Sequence, residues 1–506
     1  MPYLQKEPGS EPIVQFTVPY RGTNNSNAIN TLSPDTLYSS LNVFIREGKL
    51  RNRPGLAMLN SYIFANPILG AALGVTPVEK RILAVDQGNL YELGEFDDTW
   101  TLRTSLTFAN DNVSPIDIAY IETTSQYIGL IASETFALKQ WTISGGASLI
   151  TPSGGTTVPI AKSVCIAGRR VICLIPPHTI AWSKIYDYTN FPATAIVKVA
   201  QTNDAGVCVR SLSNLSFALY KERSIYTARA QAGDDSTAFA FSEPIIVEGP
   251  ASLRAVVSVA GTHIYMTKNG RIGLFNGTQY PQWLADGVWL YLQTDIDPLY
   301  TDMIFGIYDY RLHTVVFMYP RNGDAGQVKG MVIINLPLEG VDVQQGIGAA
   351  TFLGMTAKPC SAGCEMRFNK QIDRSLLFTA TEGDNQSFIL DENTNTDDGS
   401  PYQCSFQTGL AAVQDARHSW LTAETFLERR NGYGALLIEP VLSDALETKT
   451  GSIPYGSGQF LSLETNPVQE YTPFTKTARF CGLKYSWSSI NTVRYAGAVV
   501  YSKGVS

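Results

Sequence analysis

The sequence predicts an all-β fold: a β-propeller of six to seven blades, preceded by an N-terminal segment and followed by a C-terminal β-sandwich-like domain. Three observations lead to this prediction. Charged residues are few while turn and strand formers are many; β-hairpins recur along the middle of the chain; and the pattern changes near residue 402.

The composition is poor in charge but not unusually hydrophobic. Asp, Glu, Lys and Arg make up 16% of the 506 residues, against about 25% in ordinary globular domains. Hydrophobic residues reach 44%, and 42 Gly, 26 Pro and 11% aromatics are typical of strands joined by turns. A net charge of −7 on this length argues against disorder, and an acidic protein lacks the means to grip phosphate backbones.

Nothing in the sequence indicates export or a membrane span. Residues 1–16 are polar and lack the basic start and apolar stretch of a secretory signal. The most apolar window, residues 62–78, contains Pro67 and Pro77 and is shorter than the roughly 20 residues that cross a bilayer. The seven cysteines are scattered, so we expect reduced and mostly buried thiols.

Signals for enzymatic or metal chemistry are weak. The Gly-x-Ser-x-Gly and phosphate-loop strings are absent from the sequence. Cys360 and Cys364 would supply two zinc ligands, but no second pair lies at ligand spacing. Residues 391–402 alternate oxygen-bearing side chains like a calcium loop, yet carry Thr396 and Tyr402 where such a loop needs Gly and Glu. We therefore expect no catalytic residue, no metal and no cofactor.

Seven hairpins organise the middle of the chain. Each consists of two β-rich runs around a turn with Gly, Asn or Asp, centred near residues 88, 133, 168, 214, 261, 311 and 372. The intervals of 35 to 61 residues are those of propeller blades, and the longest indicates an insertion near 340–363. Short strands at 270–275 and 330–335 would complete blades. A stack of β-sandwiches is the rival interpretation.

These patterns divide the chain into three parts. Residues 1–60 form an N-terminal segment, residues 61–395 the propeller, and residues 396–506 a C-terminal β domain that ends in a strand-rich run.

Three motifs resemble the tail-nozzle, or packaged-DNA-stabilisation, family of short-tailed bacteriophages. The first runs from Asn42 through a turn at Gly48 to a Leu-x-x-Arg-Pro-Gly string, which includes Arg51, Arg53, Pro54 and Gly55. The second is a blade motif around Gly261, Tyr265, Gly270, Phe275 and Gly277. The third is the Lys221-Glu222-Arg223-Ser224 turn. Each motif is also explained by ordinary strand ends and turns, and the resemblance rests on their order and spacing.

The resemblance implies a structural virion protein rather than an enzyme. It implies a homohexameric ring below the portal and its adaptor ring, in contact with tail fibres or tailspikes. Such a ring extends the DNA channel, helps to retain packaged DNA until ejection, and lets double-stranded DNA pass without sequence-specific binding. It implies a place in the virion tail after assembly in the host bacterial cytoplasm. By the same analogy, residues 1–60 and about 402–506 would serve docking and ring closure.

The alternative function is a propeller that binds or depolymerises polysaccharide. Such a protein would carry acidic residues and Trp on loops at one mouth of its channel. Asp295, Asp297 and Asp302, near Trp283 and Trp289, are the candidates in this sequence. A scaffold propeller of the host is a third possibility, although its usual Trp-Asp motifs are absent from the sequence.

Overall fold

The computed structural model describes most of the chain. The described residues are 11–75, 80–105, 114–122, 127–142, 146–149, 157–336, 349–368, 374–380, 385–412, 418–430, 435–443, 459–462, 468–478, 480–489 and 492–504.

Five strands precede the propeller. They are β1 (Glu11–Phe16), β2 (Leu37–Leu41), β3 (Val43–Arg46), β4 (Lys49–Asn52) and β5 (Gly55–Met58), with a 3-10 helix at Ile29–Thr31.

The first three blades are four-stranded antiparallel meanders. Blade 1 is β6 (Gly70–Val75), β7 (Lys80–Val85), β8 (Asn89–Gly94) and β9 (Thr101–Ser105). Blade 2 is β10 (Asp117–Glu122), β11 (Tyr127–Ser133), β12 (Phe136–Thr142) and β13 (Gly146–Leu149). Blade 3 is β14 (Ser163–Ala167), β15 (Arg170–Ile175), β16 (Thr179–Trp182) and β17 (Ile196–Lys198).

The next three blades repeat the meander. Blade 4 is β18 (Gly206–Ser213), β19 (Ser216–Lys221), β20 (Ser224–Ala230) and β21 (Phe239–Phe241), with β22 (Ile245–Ile246) beside β20. Blade 5 is β23 (Val256–Val259), β24 (Thr262–Met266), β25 (Ile272–Phe275) and β26 (Gln282–Trp283). Blade 6 is β27 (Phe305–Asp309), β28 (Thr314–Pro320), β29 (Val328–Asn335) and β30 (Ala350–Met355).

The seventh blade is completed by the N-terminal part of the chain. It contains β31 (Cys360–Met366), β32 (Arg374–Thr379) and β33 (Ser387–Asp391), and its outer strand is β5, which pairs antiparallel with β33. The short strands β34 (Thr396–Asp397) and β35 (Ser400–Pro401) extend the sheet. The blade therefore ties residues near 55 to residues near 390.

Helices are few in the described part of the chain. Helix α1 (Asp286–Asp295) and a 3-10 helix at Pro298–Met303 lie between blades 5 and 6, and another 3-10 helix spans Asp235–Thr237.

Strands from both ends of the chain form two six-stranded sheets, here called the platform. The C-terminal strands are β36 (Gln403–Thr408), β37 (Ala411–Ala412), β38 (His418–Arg430), β39 (Ala435–Ser443), β40 (Gln459–Ser462), β41 (Val468–Ala478), β42 (Phe480–Ser488) and β43 (Thr492–Gly504). One sheet has the order β3-β4-β43-β38-β41 with β1 also on β43, and the other the order β2-β36-β42-β39-β40 with β37 on β42.

Every neighbouring pair of blades shares a hydrophobic core, so the blades form a closed ring. Leu83 and Ile131 share the core between blades 1 and 2, for example, and Phe378 and Tyr91 share the one between blades 7 and 1. The core between blades 6 and 7 is continuous with that of the platform. Because no blade buries both of its faces alone, this closure supplies the stability of the array.

The predicted all-β propeller is confirmed, with seven blades, and the C-terminal strands lie in a two-sheet arrangement. All seven predicted hairpins occur, although the turn near 372 and residues 337–348 of the predicted insertion lie outside the described residues. The first two hairpins join the second and third strands of their blades, whereas the next five join the first and second. This offset explains why the interval between the second and third turns is only 35 residues.

The domain boundaries stay a prediction. The structure places β5 and β34, on either side of the predicted propeller at 61–395, in the sheet of blade 7.

Candidate functional site

Asn42 and Arg53, from the first family motif, meet at a buried junction between the platform and the propeller. Arg53 Nε donates to Asn42 Oδ1 at 2.9 Å, and Arg53 Nη2 donates to the carbonyl oxygen of Met355 at 2.8 Å. Asn42 Nδ2 donates to the carbonyl oxygen of Gln403 at 2.8 Å. The junction thus joins the N-terminal strands to blade 6 and to the C-terminal sheets.

Asp397 neutralises Arg53 inside this junction. The guanidinium donates to the two carboxylate oxygens at 3.0 and 2.6 Å, and both side chains are 0% exposed. The ring centroid of Tyr402 lies 3.9 Å from the guanidinium carbon. Burial by itself would lower the pKa of Arg53, but Asp397, together with Tyr402 and Cys404, raises the pKa above its usual value. Arg53 therefore stays positively charged and links the platform to the propeller.

The other residues of this motif lie in turns and strands around the junction, and only Gly48 is exposed. Asn42 and Gly48 have φ of 57° and 70°, the left-handed region, and Gly48 lies in the β3–β4 turn. Arg51 is paired with Arg494 of β43 across the sheet and lies 3.7 Å from Glu392. Pro54 leads into β5, the strand that Gly55 begins. The docking role of these six residues stays a prediction, and Arg53 would serve it only by holding the platform in place.

The blade motif forms the hairpins of blade 5. Gly261, Gly270 and Gly277 have φ of 80°, 78° and 87°, so each occupies a turn that glycine favours. Tyr265 and Phe275 are fully buried and pack in the core between blades 4 and 5. The turns and the core of blade 5 therefore explain why these residue types occur at these positions.

A cavity of about 360 Å³ lies on the propeller axis. The first strands of all seven blades line it, through residues such as Gly70, Asp117, Cys165, Arg210, Val256, Gly306 and Ala362. The inner strands of every blade therefore contribute to the wall of this axial cavity.

Arg210 and Asp117 connect four blades across this cavity. Arg210 Nη1 donates to Asp117 Oδ2 at 2.7 Å and to Ser163 Oγ at 3.2 Å, and Arg210 Nη2 donates to the carbonyl oxygen of Leu253. Asp117 also accepts a hydrogen bond from Ser163 Oγ at 2.6 Å. Burial would lower the pKa of Arg210, but Asp117 raises it.

Arg254 crosses the axis from the entry to blade 5. Its Nη1 donates to the carbonyl oxygens of Leu69, beside blade 1, and Ser361, in blade 7, at 3.1 and 2.7 Å. Its guanidinium carbon is 5.8 Å from the ring centroid of Phe305. Burial lowers the pKa of Arg254 to about 10, although the negative charge of Asp302 acts in the opposite direction.

His263 makes a polar contact between blades 4 and 5. Its Nε2 lies 2.9 Å from the carbonyl oxygen of Ser211, an atom that can only accept, so Nε2 carries the proton. Nδ1 then accepts from the hydroxyl of Tyr220 at 2.8 Å. Burial lowers the pKa of His263 to about 4, so the ring is neutral near pH 7.

The acidic residues of the polysaccharide alternative have separate roles. Asp295 pairs with Arg321 through two contacts of 2.9 and 3.0 Å, and Asp297 caps the 3-10 helix by accepting from the Leu299 amide at 3.0 Å. Asp302 is exposed and lines two cavities. Trp283 and Trp289 flank Arg271, whose guanidinium carbon is 5.2 and 4.1 Å from their ring centroids.

The side chains that the sequence offers as zinc or calcium ligands are buried or make other contacts. Cys360 and Cys364 are both buried and lie four positions apart in β31. Burial raises the pKa of Cys360 to about 12. In the calcium-like stretch, Asp391 pairs with Arg374 at 3.2 Å and Asp397 pairs with Arg53. Among the described residues, no cluster of three or more His, Cys, Asp or Glu is arranged to hold a metal ion.

All seven cysteines are buried free thiols, which is what the sequence predicts. Within the described ranges, we find no helix with the length and apolar character needed to cross a membrane.

Sequence reasoning missed the arginines on the propeller axis. Arg210 lies within β18, the first strand of blade 4, and Arg254 lies just before β23, the first strand of blade 5; both stand beside apolar residues. A charged residue in such a run is a signal that it faces a cavity. Apart from the carbonyl oxygen of the neighbouring Val209, which accepts from Arg210, the hydrogen-bond partners of these arginines lie 40 or more positions away in sequence, so the pattern could not be read from local spacing.

The comparisons with known proteins find likeness in structure alone. No protein-family model and no curated protein matches the sequence. Among solved structures, the BBS1 N-terminal region, crystallised with ARL6, has a TM-score of 0.41 and 10% identity, and the match covers 68% of this chain and 99% of that one. PorZ of Porphyromonas gingivalis, a surface component of the type-IX secretion system, gives 0.38 and 12%, covering 66% and 38%. BamB of Moraxella catarrhalis gives 0.37 and 11%, covering 70% and 99%.

Proposed function

We propose that this protein is a structural subunit of a short-tailed bacteriophage tail, the tail nozzle. Six copies would form a ring below the portal and its adaptor ring, extend the DNA channel and help to retain packaged DNA until ejection. The protein would be part of the virion tail, would contact tail fibres or tailspikes, and would have no enzymatic role.

The observation that carries the proposal is the platform. The resembling family places its N- and C-terminal segments together at the adaptor-facing end, with propellers lying outward. In this protein, β1, β3 and β4 share a sheet with β38, β41 and β43, and β2 shares the other sheet with β36 and β42. Such a platform, built from sheets other than those of the blades, offers a surface for ring closure.

The charge of the chain supports the same function. Six copies with a net charge of −7 each would total −42, and such a wall would not retain phosphates as a lysine- and arginine-rich one does.

Interfaces between subunits are depleted in Lys and Glu and enriched in aromatics. Tyr20 of the platform region is an exposed aromatic of this kind, with 54% of its surface accessible.

Mass measurement of the purified protein, alone and with the phage adaptor ring, tests the proposal. We expect a hexamer, or hexamer formation on the adaptor. Tyr20→Glu should weaken assembly, whereas Tyr280→Glu, at a tyrosine of blade 5 that is also more than half exposed, should leave it intact. A protein that stays monomeric and never joins the adaptor would refute the nozzle function, and release of reducing sugar from host envelope would favour the polysaccharide alternative.

A further inference from the structure

A second cavity, here called the mouth cavity, lies at one end of the propeller axis. Its volume is about 300 Å³, at the lower end of the range for ligand pockets of about 300–1,000 Å³. Blades 1, 6 and 7 and the 3-10 helix Pro298–Met303 surround it. Arg254 lines both the mouth cavity and the axial cavity, and so forms the boundary between them.

The guanidinium of Arg254 has unused donors. Its Nη1 makes the two bonds to carbonyl oxygens, and its Nε has no hydrogen-bond partner within the described part of the chain. Arg254 also keeps partial exposure, and the surfaces it lines are those of the two cavities. An arginine carries five N–H donors in a planar fork that matches two carboxylate oxygens.

Arg254 differs from other arginines of the interior in its charge balance. Arg53, Arg170 and Arg210 each contact an aspartate, at 2.6 to 2.7 Å. Arg254 forms no salt bridge within 4.0 Å to any described carboxylate, and Asp302 acts on it only from a greater distance. A poorly solvated cation without a paired anion is costly to the fold, so a bound anion would stabilise it.

The walls of the mouth cavity indicate what kind of anion fits. Ile68, Leu69, Met303, Val328 and Pro359 supply apolar surface to the cavity that Arg254 also lines. A fully hydrated inorganic ion would leave this surface without a partner. An anion with an apolar body would bury it, with a gain of roughly 25 cal/mol per Å².

We propose that the mouth cavity binds a small organic monocarboxylate, with its carboxylate on the guanidinium of Arg254 and its apolar body against the cavity walls. Asp302, exposed at the rim of the same cavity, would repel a second negative charge and so favours a monoanion. This site does not depend on ring formation or on the tail-nozzle function.

Titration calorimetry on the full-length protein tests the proposal, with hexanoate as the probe. Hexanoate should bind with one site per chain, and 1-hexanol and inorganic phosphate should each bind at least tenfold more weakly, since one lacks the charge and the other the apolar body. Arg254→Met should weaken hexanoate at least tenfold. Arg223→Met, at an exposed arginine outside the cavity, should leave the affinity unchanged.

Asp302→Asn provides a test that does not disturb the interior. Removing this exposed negative charge should tighten hexanoate binding about two- to fivefold, because less repulsion opposes the anion. The proposal is wrong if hexanoate does not bind the wild type, if Arg254→Met binds it equally well, if hexanol or phosphate binds as tightly, or if Asp302→Asn leaves the affinity unchanged.

Discussion

At the scale of single residues, buried charge is concentrated where distant parts of the chain meet. Arg53 and Asp397 are 344 positions apart, yet both side chains are fully buried in one junction. Removing one partner of such a pair leaves the other charge buried and unpaired, which typically lowers the free energy of unfolding by about 3–5 kcal/mol. The junction therefore contributes to the union of platform and propeller.

Asp397→Asn should lower the free energy of unfolding by about 3–5 kcal/mol, because Asn keeps the size of Asp but leaves Arg53 uncompensated. Urea denaturation measures the loss. The matched control is Asp398→Asn, which removes a partly exposed pair with Lys358 and should cost at most about 1 kcal/mol. Equal losses for the two variants would contradict a special role for the buried pair.

His263 gives stability a pH dependence. Its pKa is about 4 in the fold, below the usual value of 6.5, so the unfolded chain takes up a proton first as the pH falls. The native state is therefore destabilised between pH 6.5 and 4, by up to about 1.4 kcal/mol per pH unit.

His263→Gln should flatten this pH dependence, since Gln can donate to Ser211 and accept from Tyr220 without titrating. Urea denaturation at pH 7 and pH 5 measures the change. His313→Asn, in a turn where φ is 49°, should retain the wild-type slope. An unchanged slope in His263→Gln would show that this histidine does not set the pH response.

At the scale of elements, β5 closes the ring. Its Leu56 is fully buried and lies opposite Leu390 of β33. Gly55 lets the backbone at residues 394–396, which lead into β34, lie close against β5, because a Cβ there would lie 2.3 Å from the carbonyl oxygen of Thr396 and 2.5 Å from that of Thr394. The approach of two backbones thus explains the glycine that ends the Arg-Pro-Gly string.

Gly55→Ala should destabilise the protein by about 2–3 kcal/mol, in the upper part of the usual range for point mutants, because backbone must move. Hydrogen exchange should accelerate in β33 before it does in blade 4. Gly323→Ala is the comparison: its Cβ would meet nothing within 4 Å, so it carries only the left-handed backbone penalty of about 1–2 kcal/mol. A smaller loss for Gly55→Ala than for Gly323→Ala would contradict the crowding at β5.

At the scale of the whole molecule, β1 to β4 lie in the platform, β5 completes the seventh blade, the chain then runs through the seven blades, and β36 to β43 lie in the platform again. The platform core is continuous with the core of blades 6 and 7. This arrangement makes the propeller dependent on residues outside the run of seven hairpins.

A fragment of residues 54–395 should melt at a higher temperature than one of residues 61–395, since only the longer fragment keeps β5 on β33. Both fragments lack the platform, so the comparison isolates this strand. With a loss of about 2 kcal/mol or more, we expect a difference of several degrees by calorimetry. Identical melting would show that β5 is dispensable for closure.

The sequence by itself determined the all-β class, the seven hairpins and their turns, since these depend on alternation and on turn residues a few positions apart. Ala260 and Gly261, both with positive φ, form such a local turn. The sequence also singled out the Arg-Pro-Gly string as a docking motif, but it did not indicate which residues surround that string.

Only the tertiary structure decided what closes the ring and what the buried charges contact. The pairing of β5 with β33, the junction of Arg53 with Asp397, and the reach of Arg254 across the axis each join residues more than 100 positions apart. Such contacts arise because radial packing brings the two ends of the array together, and no local period in the chain encodes which side chains then meet.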